Sequence, residues 1–475
     1  MKYNVIIGLE MHCEMKSTSK VFSPSSNIYT TMANTNVSEI DLAFPGILPT
    51  VNLECVKKAI MAASILNCTI PNKLLFDRKN YYYPDLPKGY QITQNTSPIG
   101  VNGYINIEVN DKIIPITIQD IHLEEDSAAM NHLSSMSLID YNRAGVPLLE
   151  CVTDPCLHSA DEAVAFIDTM CRIYRYTGIS DADTKKGQIR CDVNVNLKDE
   201  NGKMLTPKVE VKNVNSLGNV KNTIIYEVNR QIKALEDNNF DELVQETRRY
   251  DEETNTTIHM RSKVDAIDYK YFVEPNIPPF TITEDLLNEI KKNIPMLALE
   301  RKQMYIEKYG LDKENASIIV KDRDMADYYE SCLNIGIDAK TAANYLNGLI
   351  TSYINREEIS IKDFYLKPEY LKQIIDAVNE GTISSKQAKE IFAKSLEDKK
   401  EPKNYISKEN SQITDDKYIE GIIDNILSVN KENILLYQNG KTNMFDFFVG
   451  QVMKETKGKA NPIITKEILH KKIDK

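Results

Sequence analysis

The chain has 475 residues, 42% of them hydrophobic and 27% charged, with a formal net charge of −11. That length calls for about two to four domains, and the acidic balance excludes a protein coated evenly in Lys and Arg for nucleic acid. No apolar run approaches the roughly 20 residues that span a bilayer. Met1-Lys2 leads directly into strand-like sequence, so no targeting peptide is expected. The eight scattered cysteines include no Cys-x-x-Cys pair and suit free thiols in a reducing compartment.

The first predicted strand begins at Tyr3 and runs through Gly8-Leu9-Glu10-Met11-His12. Alternation sets Glu10, His12 and Glu14 on one face and Leu9, Met11, Cys13 and Met15 on the other. A carboxylate and an imidazole two residues apart can serve as paired metal ligands or decorate a solvated face. Residues 77–85 then mix cations with aromatics. The apolar strand at 113–118 leads into Asp120-Ile121-His122-Leu123-Glu124-Glu125-Asp126, where adjacent acids repel unless a cation or water intervenes. Ser159 with Glu162 reads as a capping box, ahead of Ala163, Phe166, Ile167, Met170 and Tyr174 at helical spacing, and Gly178 as the C-terminal stop.

Residues 189–197 alternate strictly, which aligns Arg190, Asp192, Asn194 and Asn196. A turn at 199–202 and renewed alternation at 209–212 predict a hairpin whose polar face carries Asp192, Asn194, Glu210 and Lys212. A helix over roughly 219–236 follows, with Ile224, Ile225, Val228, Ile232 and Leu235 inward. After Pro278-Pro279 the alternation gives way to helical patterns such as Leu286, Leu287, Ile290 and Ile294, and Ser384 with Gln387 opens a capped helix. A charged linker is expected at 397–403. The fold class is therefore α+β: a strand-rich domain at 1–282, a helical domain at 283–398 and a small helical tail at 404–475. From Lys441 onward eight lysines face four acids. This basic end can meet phosphate or be an ordinary solvated tail.

The chain lacks Gly-x-x-x-x-Gly-Lys, Gly-x-Gly-x-x-Gly and Gly-x-Ser-x-Gly motifs. A nucleophilic hydrolase is disfavoured. Oxygen donors with one imidazole suit Mg²⁺ or Mn²⁺ better than Zn²⁺. Carboxylate-held metal with Lys79, Arg190 or Lys212 nearby is one way to handle ATP phosphates without a glycine-rich loop. The residues alone reach a metal-dependent, phosphate-handling site in a sheet domain.

Longer motifs carry a resemblance. They are Gly8-Leu-Glu-Met-His12, Asp77-Arg-Lys-Asn-Tyr-Tyr-Tyr-Pro-Asp-Leu-Pro-Lys88, Arg143-Ala-Gly-Val-Pro-Leu-Leu-Glu150, Gly187-Gln-Ile-Arg-Cys-Asp-Val-Asn194, Val209-Glu-Val-Lys-Asn-Val-Asn-Ser216, Met260-Arg-Ser-Lys263 with Tyr271-Phe-Val-Glu-Pro275, and Val449-Gly-Gln-Val-Met-Lys454 with Lys457-Gly-Lys-Ala-Asn-Pro462. With these the chain resembles, over essentially its whole length, the GatB family of aspartyl/glutamyl-tRNA amidotransferases. The resemblance implies a cradle domain, a helical domain and a YqeY-like tail. It implies a carbon–nitrogen ligase that uses ATP to phosphorylate the side-chain carboxylate of Glu-tRNA(Gln), Asp-tRNA(Asn) or both. Ammonia, made from glutamine on a partner amidase, the A subunit, then displaces the phosphate, and a small C subunit completes a heterotrimer in the bacterial cytoplasm, away from membranes. The cognate non-discriminating synthetase is a candidate partner.

Carried over by motif, Glu10, His12, Glu125 and Asp192 resemble the family's Mg²⁺ cluster, with Glu124 a further ligand and Glu210 close by in a catalytic role; Mn²⁺ is an alternative ion. Charge assigns Lys79, Arg190 and Lys212, with Asn194, to nucleotide contacts, and Tyr81 to substrate positioning. Lys454, Lys457 and Lys459 are the candidates for tRNA contact. Many relatives carry a four-cysteine zinc knuckle where this chain has Ser23-Pro24-Ser25 and Ser38-Glu39-Ile40-Asp41, so no structural zinc is expected. Val273 stands where proline is common. A free-standing metal-dependent hydrolase and a non-catalytic tRNA-binding scaffold are the competing readings.

Overall fold

Strand β1 (Asn4–Glu14) alternates as its sequence predicts: Leu9, Met11 and Cys13 are fully buried, while Glu10, His12 and Glu14 stay half-exposed on the opposite face. This is a computed structural model, and it describes residues 3–262, 268–406, 416–456 and 460–474. From β1 the chain passes through α1 (Leu53–Ile65), β2 (Lys73–Leu74), β3 (Asp77–Asn80), β4 (Tyr90–Thr93), the hairpin β5 (Gly100–Val109) and β6 (Lys112–Glu125), the small hairpin β7 (Ala129–His132) and β8 (Ser137–Asp140), and β9 (Pro147–Thr153). Then come α2 (Ala160–Thr177), β10 (Ile189–Lys198), β11 (Val209–Val214), α3 (Leu217–Glu236), β12 (Glu246–Asp251), β13 (Thr256–Ser262), β14 (Phe272–Val273), β15 (Phe280–Thr281) and α4 (Glu284–Lys292).

Eight of these strands form one sheet in the order β13-β12-β11-β10-β1-β9-β6-β5, antiparallel except where β11 meets β12. One face is apolar and packs with the buried sides of α1, α2 and α3 into a single core that includes Ile60, Phe166, Met170, Val193 and Ile224. Each such side chain contributes about 1.5–3 kcal/mol on burial. Gly103 lets β5 pass the end of α1, because a Cβ there would lie 2.4 Å from Cys68 Sγ and 2.5 Å from the Leu66 carbonyl. The other face is left to polar residues. A separate three-stranded sheet, β14-β3-β4, also belongs to this unit.

Local signals mostly act as expected. Ser159 Oγ accepts from the Glu162 N–H at 3.2 Å, and Gly178 closes α2 at φ 69°. The Glu162 carboxylate, however, accepts from His158 N rather than completing the capping box. The hairpin of β10 and β11 forms with Asn194 opposite Glu210. The inward face of α3 differs from expectation. Its buried residues are Val220, Thr223, Ile224, Glu227, Gln231 and Ala234, whereas Ile225 is exposed. Arg230 and Thr257 satisfy Glu227, and Gln231 bonds to Thr206 and the Val195 carbonyl, so polar pairs replace part of the apolar stripe.

The first compact unit runs to Ala298 rather than ending at 282. Helix α4 has the periodicity of the helical region, but Ile290 belongs to the sheet core and Leu286, Leu287 and Ile294 pack against it. The second unit, Leu299–Lys475, is helical among the described residues. Ser384 and Gln387 form a complete capping box, and the helix they open, Ser385–Asp398, extends into the expected linker. The last helices, Asp416–Val429, Lys431–Gln438, Asn443–Glu455 and Pro462–Ile473, enclose a core of their own with Ile419, Ile423, Phe448, Val452 and Leu469. No helix among the described residues is long and apolar enough to cross a membrane.

Between β1 and α1 the chain is irregular and organised by one carboxylate. Asp41 Oδ1 accepts from Ser23 Oγ at 2.7 Å, and Oδ2 accepts from Ser25 Oγ at 2.5 Å and the Ser38 N–H at 2.9 Å. The fully buried Lys20 ammonium completes the group at 3.2 Å. The residues that stand in the zinc-knuckle positions therefore meet one another around Asp41.

Candidate functional site

Strand register assembles the polar face. β1 sets Glu10 beside Asp192 and His12 beside Arg190 on one side, and His12 beside Glu150 on the other. β9 in turn sets Glu150 beside His122. Because paired residues share a sheet face, carboxylates and imidazoles from β6, β9, β1, β10 and β11 converge in two groups.

In the first group the donor atoms of His12, Glu124 and Glu150 all lie within 4.8 Å of one another. His12 Nε2 is 3.1 Å and His122 Nε2 3.2 Å from Glu150 Oε2, and His122 Nδ1 meets Asp120 Oδ1 at 2.8 Å. Thr93 Oγ1 donates to Glu124 at 3.1 Å. In the second group, donor atoms of Glu10, Asp192 and Glu210 likewise lie within 4.8 Å of one another. Lys212 Nζ lies between two of them, 2.7 Å from Asp192 and 3.0 Å from Glu210. Asn194 Nδ2 donates to Glu10 at 3.0 Å. Its Oδ1 is buried and has no hydrogen-bond partner among the described residues.

The electrostatics are those of a site with excess negative charge. Burial pulls the His12 pKa down, but Glu150, by charge and hydrogen bond, together with Glu124 and Asp192, raises it to about 9. His122 is driven up in the same way against its own burial. Burial raises Glu124, and the Glu150 charge raises it further, although both imidazoles and Lys79 oppose this. Burial and then Glu150 also raise Glu10. Glu150 goes the other way: the two imidazoles overcome its burial and hold it well below the carboxylate range. Glu150 and the two imidazoles thus favour one another's charged forms, and a hard cation would supply positive charge at the same place.

A cleft of about 540 Å³ opens beside the first group, lined by Lys79, Thr93, Gln94, His122, Glu124, Glu150 and Tyr271 among others. Its size suits a small ligand. Burial depresses the Lys79 ammonium, but Glu124, Tyr271 and Glu150 more than restore it. Neighbouring residues of the same sequence block have other work. Asp77 accepts from the N–H groups of Asn95 and Thr96 at 2.7 and 2.6 Å. Arg78 forms a two-pronged pair with Glu274 that ties β3 to the chain after β14. Of these three, Lys79 alone lines the cleft.

Some expected groupings do not form. Glu125 is apart from Glu10, His12 and Asp192, since alternation along β6 turns it away from Glu124. It accepts from the Ile92 N–H at 2.9 Å and from Lys88. Arg190 pairs with Asp126, while burial and then the Asp126 charge raise Glu14 to about 7. Lys212 sits inside the second acidic group rather than open to a nucleotide. Tyr81 packs edge-on against Tyr269 at 6.1 Å, its hydroxyl raised by burial and then by Asp85, Glu124 and Glu125. Lys454 is exposed on the helix Asn443–Glu455; Lys457 and Lys459 lie outside the described residues. Sequence reasoning missed Glu150 and His122 as site members. The signal for Glu150 was a single carboxylate within the otherwise apolar strand Pro147–Thr153.

Comparison with known proteins is consistent across the chain. Residues 5–288 match the family described as GatB/GatE catalytic domain, and residues 327–473 match the one described as GatB domain. The B subunit of the aspartyl/glutamyl-tRNA(Asn/Gln) amidotransferase from Oceanobacillus iheyensis is 40% identical over 476 residues, covering 100% of both chains. The protein of the same description from Crocosphaera subtropica is 41% identical over 484 residues, covering 99% of this chain and 97% of its own. That from Bacillus mycoides is 41% identical over 476 residues, with 100% of both covered.

Proposed function

The chain belongs to the GatB family of aspartyl/glutamyl-tRNA(Asn/Gln) amidotransferases, and on that premise we propose that its polar sheet face activates the side-chain carboxylate of a misacylated tRNA. The enzyme is a glutamine-dependent tRNA amidotransferase, a carbon–nitrogen ligase. In the proposed reaction a carboxylate oxygen of Glu-tRNA(Gln) or Asp-tRNA(Asn) attacks the γ-phosphorus of ATP and ADP leaves. Ammonia from a partner glutaminase, the amidase A subunit, then attacks the acyl carbon and inorganic phosphate departs, giving the amide. A small C subunit completes the assembly, which works in the cytoplasm, where its tRNA is. The absence of a hydrolase nucleophile motif agrees with glutamine cleavage on a partner.

The observation that carries this reading is the convergence of His12, Glu124 and Glu150, two of which, Glu124 and Glu150, line the Lys79 cleft. This donor set fits Mg²⁺ or Mn²⁺, and the orphaned Asn194 oxygen beside Glu10 is an acceptor in want of a cation. His12, Glu124 and Glu150 would hold one ion, with Glu10, Asp192 and Glu210 as a second group of candidate ligands. A bound ion would offset phosphate charge. Lys79, fixed by burial and by its place over the Tyr269 ring at 4.9 Å, supplies a positive charge where the transferring phosphoryl group develops negative charge. Tyr81, whose hydroxyl feels the charges of Asp85, Glu124 and Glu125, positions the substrate. At the far end of the chain, the basic tail with Lys454 makes tRNA contacts. The Lys20–Asp41–serine group takes the place of a zinc knuckle, so the chain uses no structural zinc.

The test is the assembled enzyme carrying Glu124→Gln or Glu150→Gln. Each should lose tRNA-dependent amidation by at least about 100-fold while glutaminase activity persists. Amidation at the wild-type rate in either variant would overturn the assignment.

A further inference from the structure

The motif Met260-Arg261-Ser262 is not used by the site described so far. Register places its arginine. β11 and β12 run parallel, with Glu210 beside Thr247 and Lys212 beside Arg249. Thr247 Oγ1 donates to Glu210 at 3.0 Å, which puts Thr247 and Arg249 on the face of the acidic groups. β13 then sets Arg261 beside Thr247 on that same face.

Two adjacent arginines show what this parity does. Arg248 turns to the helix side and is fully engaged, donating to Thr257 Oγ1 and Thr257 O at 2.7 Å each and to Glu246 at 2.9 Å. Arg249 is 53% exposed and comes only to 3.9 Å from Asp251. Arg261 is exposed and has no ion pair among the described residues. In a chain of net charge −11, the polar face therefore ends on two arginines, Arg249 and Arg261, beyond the ion-paired Lys212.

We propose that Arg249 and Arg261 bind the backbone phosphates at the 3′ end of the acyl-RNA substrate. This rests on the carboxylate-activating role given to the same face above. The cleft of Lys79, His122 and Glu150 lies on the β9–β6 side of β1, and the arginine pair on the opposite side, at β12 and β13. With strands about 4.8 Å apart, Arg249 stands roughly 14 Å from the strand that holds Glu10 and His12. An esterified amino acid with its carboxylate at the acidic groups extends its terminal nucleotides over a distance of that order. Nucleotide triphosphate at the cleft and RNA phosphate at the edge then approach one carboxylate from two sides. Guanidinium forks suit phosphodiester oxygens.

Edge strands also carry charge simply to block pairing with other chains. That role accepts either sign, so charge reversal separates the two explanations. In the assembled enzyme, the double variant R249E/R261E should weaken equilibrium binding of misacylated tRNA about tenfold and cut the slope of log affinity against log salt by about 1.4. R249K/R261K, which keeps the charge but not the fork, should bind with an affinity between those of wild type and R249E/R261E, and the KM for ATP and the glutaminase rate should stay at wild-type values. Unchanged tRNA affinity in R249E/R261E overturns the proposal. So does a raised KM for ATP with tRNA affinity intact, which would give the pair to the nucleotide. Amidation by the wild-type preparation is measured alongside; its absence would refute the activating role itself, whereas the binding measurement judges the arginines directly.

Discussion

Asp41 and Glu124 are both buried carboxylates of the first unit, 6% and 4% exposed, yet their surroundings are opposite. Asp41 accepts from the hydroxyls of Ser23, Ser25 and Ser38 and the Ser38 N–H, and Lys20 supplies the countercharge. Glu124 has one hydroxyl donor, Thr93, two imidazoles at 3.9 Å, and Glu150 as a like-charged neighbour. A carboxylate that serves the fold is saturated by its own chain. One that serves chemistry keeps acceptors in excess of donors, a cost in stability that a bound cation and substrate offset.

The comparison can be broken at either end, and the largest effect is expected at the saturated one. Asp41→Ala leaves the Lys20 ammonium buried without its anion, so unfolding should become easier by about 3–5 kcal/mol, read from denaturant midpoints. A change below about 1 kcal/mol would show that Asp41 is not the organiser of that segment. At the other end, Glu124→Gln should remove amidation yet leave the melting temperature unchanged or higher, because burial and the Glu150 charge already disfavour the Glu124 carboxylate. A loss of stability comparable with that of Asp41→Ala would erase the distinction.

A third buried carboxylate sharpens it. Glu274 is saturated by Arg78 and the Asn276 N–H, which hold its pKa below 4.5 although burial opposes them. A depressed folded-state pKa contributes stability that is present above the unfolded value and lost as pH falls through the folded one. The melting-temperature gap between wild type and Glu274→Gln should therefore be full near neutrality and close as pH drops below 4.5. A gap independent of pH would contradict the ion-pair account. The smallest effect lies outside both groups: Lys454→Glu should weaken tRNA binding a few-fold, as befits one phosphate contact, with identical affinity in the variant refuting the contact.

Much of this was legible in the residues. The parity of β1 could be read because Leu9, Met11 and Cys13 alternate with Glu10, His12 and Glu14, and a period of two admits one division into faces. At Glu124-Glu125 the resemblance, not alternation, put Glu125 in the cluster with Glu124 as a further ligand, and a period of two admits only one of these neighbours on the inward face. The choice is made by β4, whose Ile92 N–H takes Glu125, and no local pattern announces that contact. Glu150 was hidden because its partners His12 and His122 come from strands far away in sequence. The inner face of α3 was misread for a different reason. Glu227 and Gln231 are buried by pairing with Arg230, Thr257 and Thr206, and hydrophobic periodicity does not register polar pairs. Helix α4 was legible as a helix but not as part of the sheet unit, since packing partners are a tertiary property.

The central claim is that the under-donated group of His12, Glu124 and Glu150 holds a hard divalent cation. Mn²⁺ titration followed by electron paramagnetic resonance tests it most directly, since the signal of free Mn²⁺ disappears on binding. The wild-type assembly should take up Mn²⁺, and Glu124→Gln and Glu150→Gln should each take up less at the same concentration, with only the Glu10, Asp192 and Glu210 group left to bind it. Undiminished uptake by both variants would contradict the account.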